Sequence, residues 1–210
     1  MIVDSLCVVG PGSVWSTEVY DSFELERDGI PGDRHFGPTR TVRRYQSAEF
    51  AGREIPNDRQ LSVVDAGDMV AIADELALPI QDIEERSGFG VDRFMAAQLA
   101  ANIMVRASGN RDLNAVATSG DVLVFGEPDG GAPSMRVTEY NKPCNQPVTN
   151  LVNSLTALGI GMPLSIDHLR GRFKEAAARR RGWVGSVYIT GTVAVGHQVS
   201  VYRSLLVPES

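Results

Sequence analysis

Residues 135–150 read MRVTEYNKPCNQPVTN, and this stretch changes character halfway along. Val137, Thr138 and Tyr140 favour an extended strand, whereas Asn141, Pro143, Asn145 and Pro147 punctuate the segment that follows. Cys144 therefore sits directly after a proline where a strand gives out. Pro143 fixes its own φ, so the thiol is presented from a stiff connection. Thiol chemistry needs a thiolate, a defined direction of approach and some exposure, and a loop at a strand end supplies the last two. Lys142 next door offers positive charge for the first. The competing reading is a small buried hydrophobe, the common fate of a free cysteine.

Working outward, Val122 to Phe125, flanked by Gly120 and Gly126, forms a second strand. The turn-rich EPDGGAPS joins it to residues 135–140, predicting a hairpin that ends at the Cys144 loop. Downstream, Val148, Leu151, Val152 and Leu155 recur at helical spacing up to Gly159, and Phe173 to Arg181 predict another helix closed by Gly182. Arg179 to Arg181 fall in the last turn of that helix, where the dipole favours cations, so capping is sufficient to account for them, with a binding role as the other reading. The C-terminal run from Val184 to Val201 reads as short strands around Gly191 and Gly196, with His197 in an exposed turn.

Upstream, Leu6 to Val9 read as a strand closed by Gly10, Pro11 and Gly12, with Cys7 in the core. Val19, Phe23 and Leu25 share one face of an extended run broken by Asp21. After the turn at Gly29, Pro31 and Gly32 comes a polar cluster, Asp33, Arg34, His35 and Gly37, placed where a scaffold presents groups to a ligand or simply a solvated loop. Arg40, Arg43 and Arg44 add charge suited to a phosphate, or are surface arginines. Arg59 precedes the strand through Leu61 and Val63. There it is a bidentate donor for an anion or a partner in a surface ion pair. Asp65 is placed to cap a helix with apolar positions Met69, Ile72, Ala73 and Leu76. Met95 to Leu99 form a short apolar segment, and Ile103 to Val105 a strand.

The 210 residues, 43% of them hydrophobic, are enough for one well-filled core, so a single domain over 1–210 is expected. The net charge of -6 and pI near 5.1 argue against nucleic acid as a partner. Two cysteines give neither a disulfide framework nor a metal-finger spacing, which suits a reducing cytoplasm. No stretch has the length of a membrane span and the N-terminus lacks a signal pattern. P-loop, dinucleotide and HExxH motifs are absent, as is a Gly-x-Ser-x-Gly elbow.

Six segments, GIPGDRHFG (29–37), NDRQLSVVD (57–65), LAANIMVRA (99–107), SGDVLVFG (119–126), MRVTEYNKPCNQ (135–146) and RGWVGSVYITGTVAVG (181–196), resemble the successive blocks of a MOSC domain, in family order. The family is named for the C-terminal domain of molybdenum cofactor sulfurases. The resemblance implies an α+β, β-rich fold built on a β-barrel with a few flanking helices, as the many glycine-punctuated strands also do. Gly32, Asp33, His35 and Gly37 match a recurrent Gly-Asp-x-His-x-Gly pattern, and Arg59 stands where the family also carries arginine. Where relatives show Gly-Glu-Asn, this chain has Ala100, Ala101 and Asn102, so the acidic side chain is missing.

The resemblance implies that Cys144 carries sulfur as a persulfide, received from a cysteine desulfurase or another sulfur donor, or that it contacts a molybdenum cofactor. Both uses need a soft, deprotonated sulfur. The site expected on this basis has Cys144 and His35 as catalytic groups, with Asp33 orienting His35. Asp33, Arg34, Arg40, Arg59, Asn102, Asn141 and Lys142 would bind a small-molecule substrate or the pterin cofactor, and Cys144 would be a metal ligand if that cofactor is bound. One alternative is a molybdenum-cofactor reductase of N-hydroxylated compounds, which would need an external electron donor because no iron-sulfur or flavin motif is present. The other is a non-catalytic anion-binding barrel.

Overall fold

A computed structural model describes residues 1–10, 18–42, 47–107, 112–128, 131–162 and 164–203. Its strands are β1 (Ile2–Val8), β2 (Glu18–Tyr20), β3 (Ser22–Leu25), β4 (Thr39–Thr41), β5 (Glu54–Pro56), β6 (Leu61–Asp65), β7 (Ile103–Arg106), β8 (Val122–Phe125), β9 (Ser134–Tyr140), β10 (Trp183–Ile189), β11 (Gly191–Ala194) and β12 (Val199–Tyr202). Its helices are α1 (Ala66–Glu75), α2 (Ile80–Ser87), α3 (Val91–Gln98), α4 (Leu113–Val116), α5 (Gln146–Ala157) and α6 (Ile166–Ala176). Eight strands form one sheet in the order β12-β8-β9-β10-β6-β7-β1-β2, while β11 pairs with β3 and β4 with β5.

The centre of the sheet explains the layers. All five residues of β6 are buried because both its faces are covered. Val63 points into an apolar cluster of sheet residues with Ile103, Leu123, Phe125, Met135 and Val137. Its neighbour Val64 points the other way, into a second cluster built by α1, α2, α3, α5 and α6 with Met69, Ile72, Phe94, Leu151 and Phe173. Strand alternation thus assigns successive residues of one strand to two cores. The parallel pair β6–β7 is joined through α1, α2 and α3, as a parallel connection requires.

The α+β, β-rich architecture is as expected, but among the described residues the strands do not close into a continuous barrel ladder. The seam lies between β1 and the β11–β12 turn. Val3 N donates to His197 O, Gly196 N to Val3 O and Val199 N to Met1 O, each at 2.8 Å, with a single bridge between Ile2 and Gln198. The reason is local: residues 195–198 turn the chain, while the C-terminal half of β1 is paired by β2.

Three further readings are revised. Val19 does not share a face with Phe23 and Leu25. It is exposed on β2, whereas Phe23 and Leu25 are buried on β3, which pairs with β11. The apolar segment at 95–99 belongs to α3, and α2 precedes it. The last helix ends at Ala176, capped by Ala177, so Arg179 to Arg181 lie beyond it. Arg179 adopts a left-handed conformation (φ 62°) that turns the chain toward β10. Arg43, Arg44, Pro11 and Gly12 lie outside the described residues.

Candidate functional site

Four segments converge at the end of β9. In the first, Asp33 is buried and its carboxylate accepts hydrogen bonds on both oxygens. Oδ2 accepts from Val9 N at 2.9 Å and Asn102 Nδ2 at 2.8 Å, and Oδ1 accepts from His35 N at 2.8 Å. His35 Nδ1 lies 3.1 Å from the same Oδ1. Burial opposes ionisation of Asp33, but the hydrogen bonds from the His35 ring, His35 N and Val9 N prevail, so its pKa lies below the ordinary value. An ionised carboxylate only accepts, so the Nδ1 of His35 carries the proton and Nε2 is left for external partners. The His35 side chain is 38% exposed, which makes that nitrogen reachable.

Asn57, buried, ties this loop to the next segment. Its Nδ2 donates to His35 O (2.7 Å) and Gly37 O (3.0 Å), while its Oδ1 accepts from Arg59 N at 3.2 Å. Arg59 in turn reaches β9. One terminal nitrogen forms a short ion pair with Glu139, and the other donates to Asn141 Oδ1 at 3.1 Å. The Thr138 hydroxyl donates to Asp58 O at 2.8 Å, fixing the same crossing.

The cysteine loop is the third segment and the start of β10 the fourth. Asn141 N donates to Gly182 O, and the buried Arg181 guanidinium donates to Lys142 O at 2.5 Å. The same Arg181 Nη1 lies 3.6 Å from Cys144 Sγ, so a cation faces the half-buried sulfur. Gly182 makes this approach possible: it has φ 66°, and a Cβ there would lie 1.9 Å from Val63 O. No other residue type fits between β6 and the Asn141 backbone.

The expected residues divide accordingly. Cys144, His35, Asp33, Arg59, Asn141 and Lys142 belong to one string of hydrogen bonds running through Asn57 and Arg181. Within that string the ring of His35 makes no hydrogen bond to Cys144. Arg34 is exposed and its backbone N donates to Val9 O, placing it beside the loop. Arg40 is turned to Asp58 at 2.6 Å. Asn102 lies beneath the site, 1% exposed. Its Nδ2 donates to Asp33 and, at 3.4 Å, to Cys7 O, and its Oδ1 accepts from Ser62 N at 3.0 Å. It supports the Asp33 loop from below.

Three contributors escaped the sequence reading: Asn57, Glu139 and Arg181. Arg181 could have been found from its place immediately before a glycine and a strand inside RGWVGSVYITGTVAVG. Asn57 and Glu139 carry no local signal. Cys7 is buried, as expected. Among the described residues no group of three or more His, Cys, Asp or Glu is placed to hold a metal ion, and no helix is long and apolar enough to cross a membrane.

Comparison with known proteins bears on the family and the fold. The MOSC domain family profile matches residues 31–200. The Bacillus subtilis (strain 168) protein YuaD, named for metal-sulfur cluster biosynthesis, is 33% identical over 131 residues, which are 62% of this chain and 58% of YuaD. The crystal structure of YuaD from Bacillus subtilis superposes with a TM-score of 0.75 at 24% identity, covering 97% of this chain and 96% of that one. YiiM from Geobacillus stearothermophilus gives a TM-score of 0.52 at 13% identity, covering 96% and 75%.

Proposed function

This chain belongs to the MOSC domain family, and from that premise we propose that it is a sulfur carrier or sulfurtransferase-like protein that holds a persulfide on Cys144 in the service of molybdenum cofactor or metal-sulfur chemistry. The observation that carries the reading is the half-buried Cys144 sulfur facing the buried Arg181 guanidinium at 3.6 Å on a loop pinned at Asn141 and Lys142. The family's association with molybdenum cofactor sulfurases and the name carried by YuaD support the assignment to sulfur chemistry.

The transfer is a pair of displacements on sulfur. The Cys144 thiolate attacks the outer sulfur of a donor persulfide, forming a new S–S bond and breaking the donor's. The donor cysteine leaves as a thiolate and takes up one proton, and no net oxidation occurs. A nucleophilic acceptor then attacks the terminal sulfur, and the Cys144 thiolate leaves again facing Arg181. A guanidinium stays charged at any working pH, so it accompanies the anion in both steps. His35, oriented by Asp33 with Nε2 outward, is the group suited to exchange protons with donor and acceptor. A free half-exposed thiol of this kind suits a reducing compartment.

The second reading gives the same residues to a molybdenum cofactor. Cys144 would hold the metal as a soft ligand, and Arg59 with Lys142 would face its anionic part. Bound there, the cofactor would supply oxygen-atom and electron-transfer chemistry, the basis of the second reading as a reductase of N-hydroxylated compounds. It is favoured by the same sulfur being half-exposed rather than enclosed.

The test is the intact mass of wild type and Cys144→Ser after incubation with a cysteine desulfurase and cysteine, with and without reductant. Gain of one reducible sulfur by wild type alone is the expected result. No gain in either protein would count against the carrier reading, and molybdenum content after purification then decides for or against the second.

A further inference from the structure

Capping does not account for the arginine run at 179–181, because α6 ends at Ala176. Two of the three side chains are committed within the protein. Arg180 pairs with Glu75 and lies 3.9 Å from Asp68, while Arg181 is buried against Lys142 O with Cys144 Sγ 3.6 Å away. Arg179 is exposed, and among the described residues its guanidinium has no carboxylate or carbonyl partner. Its backbone is left-handed (φ 62°), a conformation that glycine or asparagine adopts at lower cost and that no contact of the Arg179 side chain offsets.

The charge around this residue is also one-sided. Residues 166–181 hold six arginines and lysines against two acids, a net of four positive charges, while the other 194 residues hold ten more acids than bases. Pairing removes part of it: Asp167 answers Arg170, and Glu75 answers Arg180. Arg172, Lys174 and Arg179 remain exposed, with Glu175 the one acid of the stretch that has no cation partner among the described residues. Arg172 reaches only the backbone carbonyl of Glu75, the residue whose carboxylate holds Arg180, so the end of α6 and the arginine run meet at one place. The result is a basic ridge on an acidic molecule, ending two residues before the arginine that faces the sulfur.

Such a ridge suits an acidic protein better than a nucleic acid. A long polyanion that reaches past it meets the net negative charge of the rest of the chain, whereas a folded partner with a local acidic patch does not. We propose that Arg172, Lys174 and Arg179 form a docking surface for an acidic protein that delivers sulfur to Cys144. The delivery rests on the Cys144 reading; the docking does not. In the delivery step the Cys144 thiolate attacks the outer sulfur of the partner's cysteine persulfide, and the partner's cysteine leaves as a thiolate. Attraction between charged surfaces acts on encounter, so the ridge raises the rate of delivery and loses its effect in salt.

The test uses two synthetic donor peptides of equal length, one of about ten glutamates and one of alternating glycine and serine, each ending in a cysteine persulfide. The full wild-type chain takes sulfur from the acidic donor about tenfold faster than from the neutral one at low salt, read by intact mass, and the advantage disappears at about 0.5 M salt. Arg179→Gly removes the charge and the backbone strain together, so it melts higher than wild type and still loses much of the advantage. Lys174→Glu with Arg179→Glu abolishes it, and loading from the neutral donor stays unchanged. The glutamate peptide without its cysteine binds Cys144→Ser as it binds wild type, read by fluorescence anisotropy. An acidic donor no faster than the neutral one, or an advantage that Arg179→Gly leaves intact, would overturn the proposal. So would a short single-stranded DNA that binds more tightly than the glutamates and loses affinity in the same variants. If neither donor loads wild type, the carrier reading fails, and binding of the glutamate peptide, kept by Cys144→Ser and lost with Lys174→Glu and Arg179→Glu, decides the docking by itself.

Discussion

Asp68 titrates near neutrality, and stability should respond to it. The residue stands in the first turn of α1 with its side chain 15% exposed. Burial is the largest influence on it, followed by the charges of Asp65 and Asp112. Arg180, 3.9 Å away, and a hydrogen bond from Asn114 oppose them without prevailing, and the pKa is pushed up to about 7. Its place in the first turn of a helix favours the anion by only a few tenths of a kcal/mol up to about 1, which is too small to reverse this.

The folded protein therefore holds the Asp68 proton where the unfolded chain, with an ordinary carboxylate near 3.8, has released it. Between those two values the native state binds more protons, so stability falls as pH rises from about 4 to about 7 and the loss is complete above that. A shift of roughly 3 units corresponds to about 4 kcal/mol at most, and partial solvent access reduces the expected effect to about 2 kcal/mol. Asp68→Asn keeps an oxygen to accept from Asn114 Nδ2 and removes the charge. Urea unfolding at pH 5, 6, 7 and 8 should show the variant gaining on wild type as pH rises, with the difference growing by about 1 kcal/mol between pH 5 and pH 8, the part of the effect that falls in this window. A difference that stays constant over that range would refute the burial and charge argument. Arg180 dominating Asp68 would hold it ionised in both states over this range and would give that constant difference.

Four further outcomes follow from single contacts. Gly182→Ala places a Cβ 1.9 Å from Val63 O in a left-handed backbone, and it should cost more than about 4 kcal/mol, seen as insoluble or unfolded protein; a near-native melting temperature would count against the β6–β10 geometry. Asn102→Ala removes donors from Asp33 and Cys7 O and an acceptor from Ser62 N, and should destabilise by about 3 kcal/mol in urea unfolding. Ala100→Gly relieves a non-glycine residue at φ 55° and should stabilise by up to about 1 kcal/mol after the extra chain entropy of glycine is subtracted. Under native conditions a thiol reagent should titrate Cys144 quickly and leave Cys7 for the unfolded protein, so that Cys144→Ser loses the fast phase.

How far the fold was legible depended on whether burial left a period in the sequence. The hairpin β8–β9, the capping of α1 by Asp65 and the apolar stripe of α5 were readable because each buries one face of a regular element. The pair α2 and α3 was not. Only Ile83 of α2 is buried, so it has no stripe to read, and Gly88 and Gly90 make the junction look like a loop. The end of α6 was misplaced for a different reason. The arginine run suits a helix C-terminus locally, but tertiary contacts take it: Arg180 pairs with Glu75, and Arg181 packs under the cysteine loop. Local propensity gave way to packing at the point where the site is assembled.

The altered segment at 100–102 shows which part of the family pattern the fold itself demands. At Ala100 the backbone is left-handed, and this accounts for the glycine that relatives carry there, since glycine adopts φ 55° without strain. Asn102 is a structural tie, with both amide hydrogens and its oxygen engaged between β1, β6 and the Asp33 loop. Ala101 between them is 3% exposed and packs into the helical core, where a carboxylate would be buried among apolar side chains at a cost of several kcal/mol unless paired. The alanine therefore suits this core as it stands, and the glycine and asparagine positions keep their backbone and hydrogen-bonding roles without the acid. The carboxylate beneath His35 is Asp33, which the hydrogen bonds from the His35 ring, His35 N and Val9 N hold ionised. The geometry that aims His35 outward is thus complete in this chain without a carboxylate at 101.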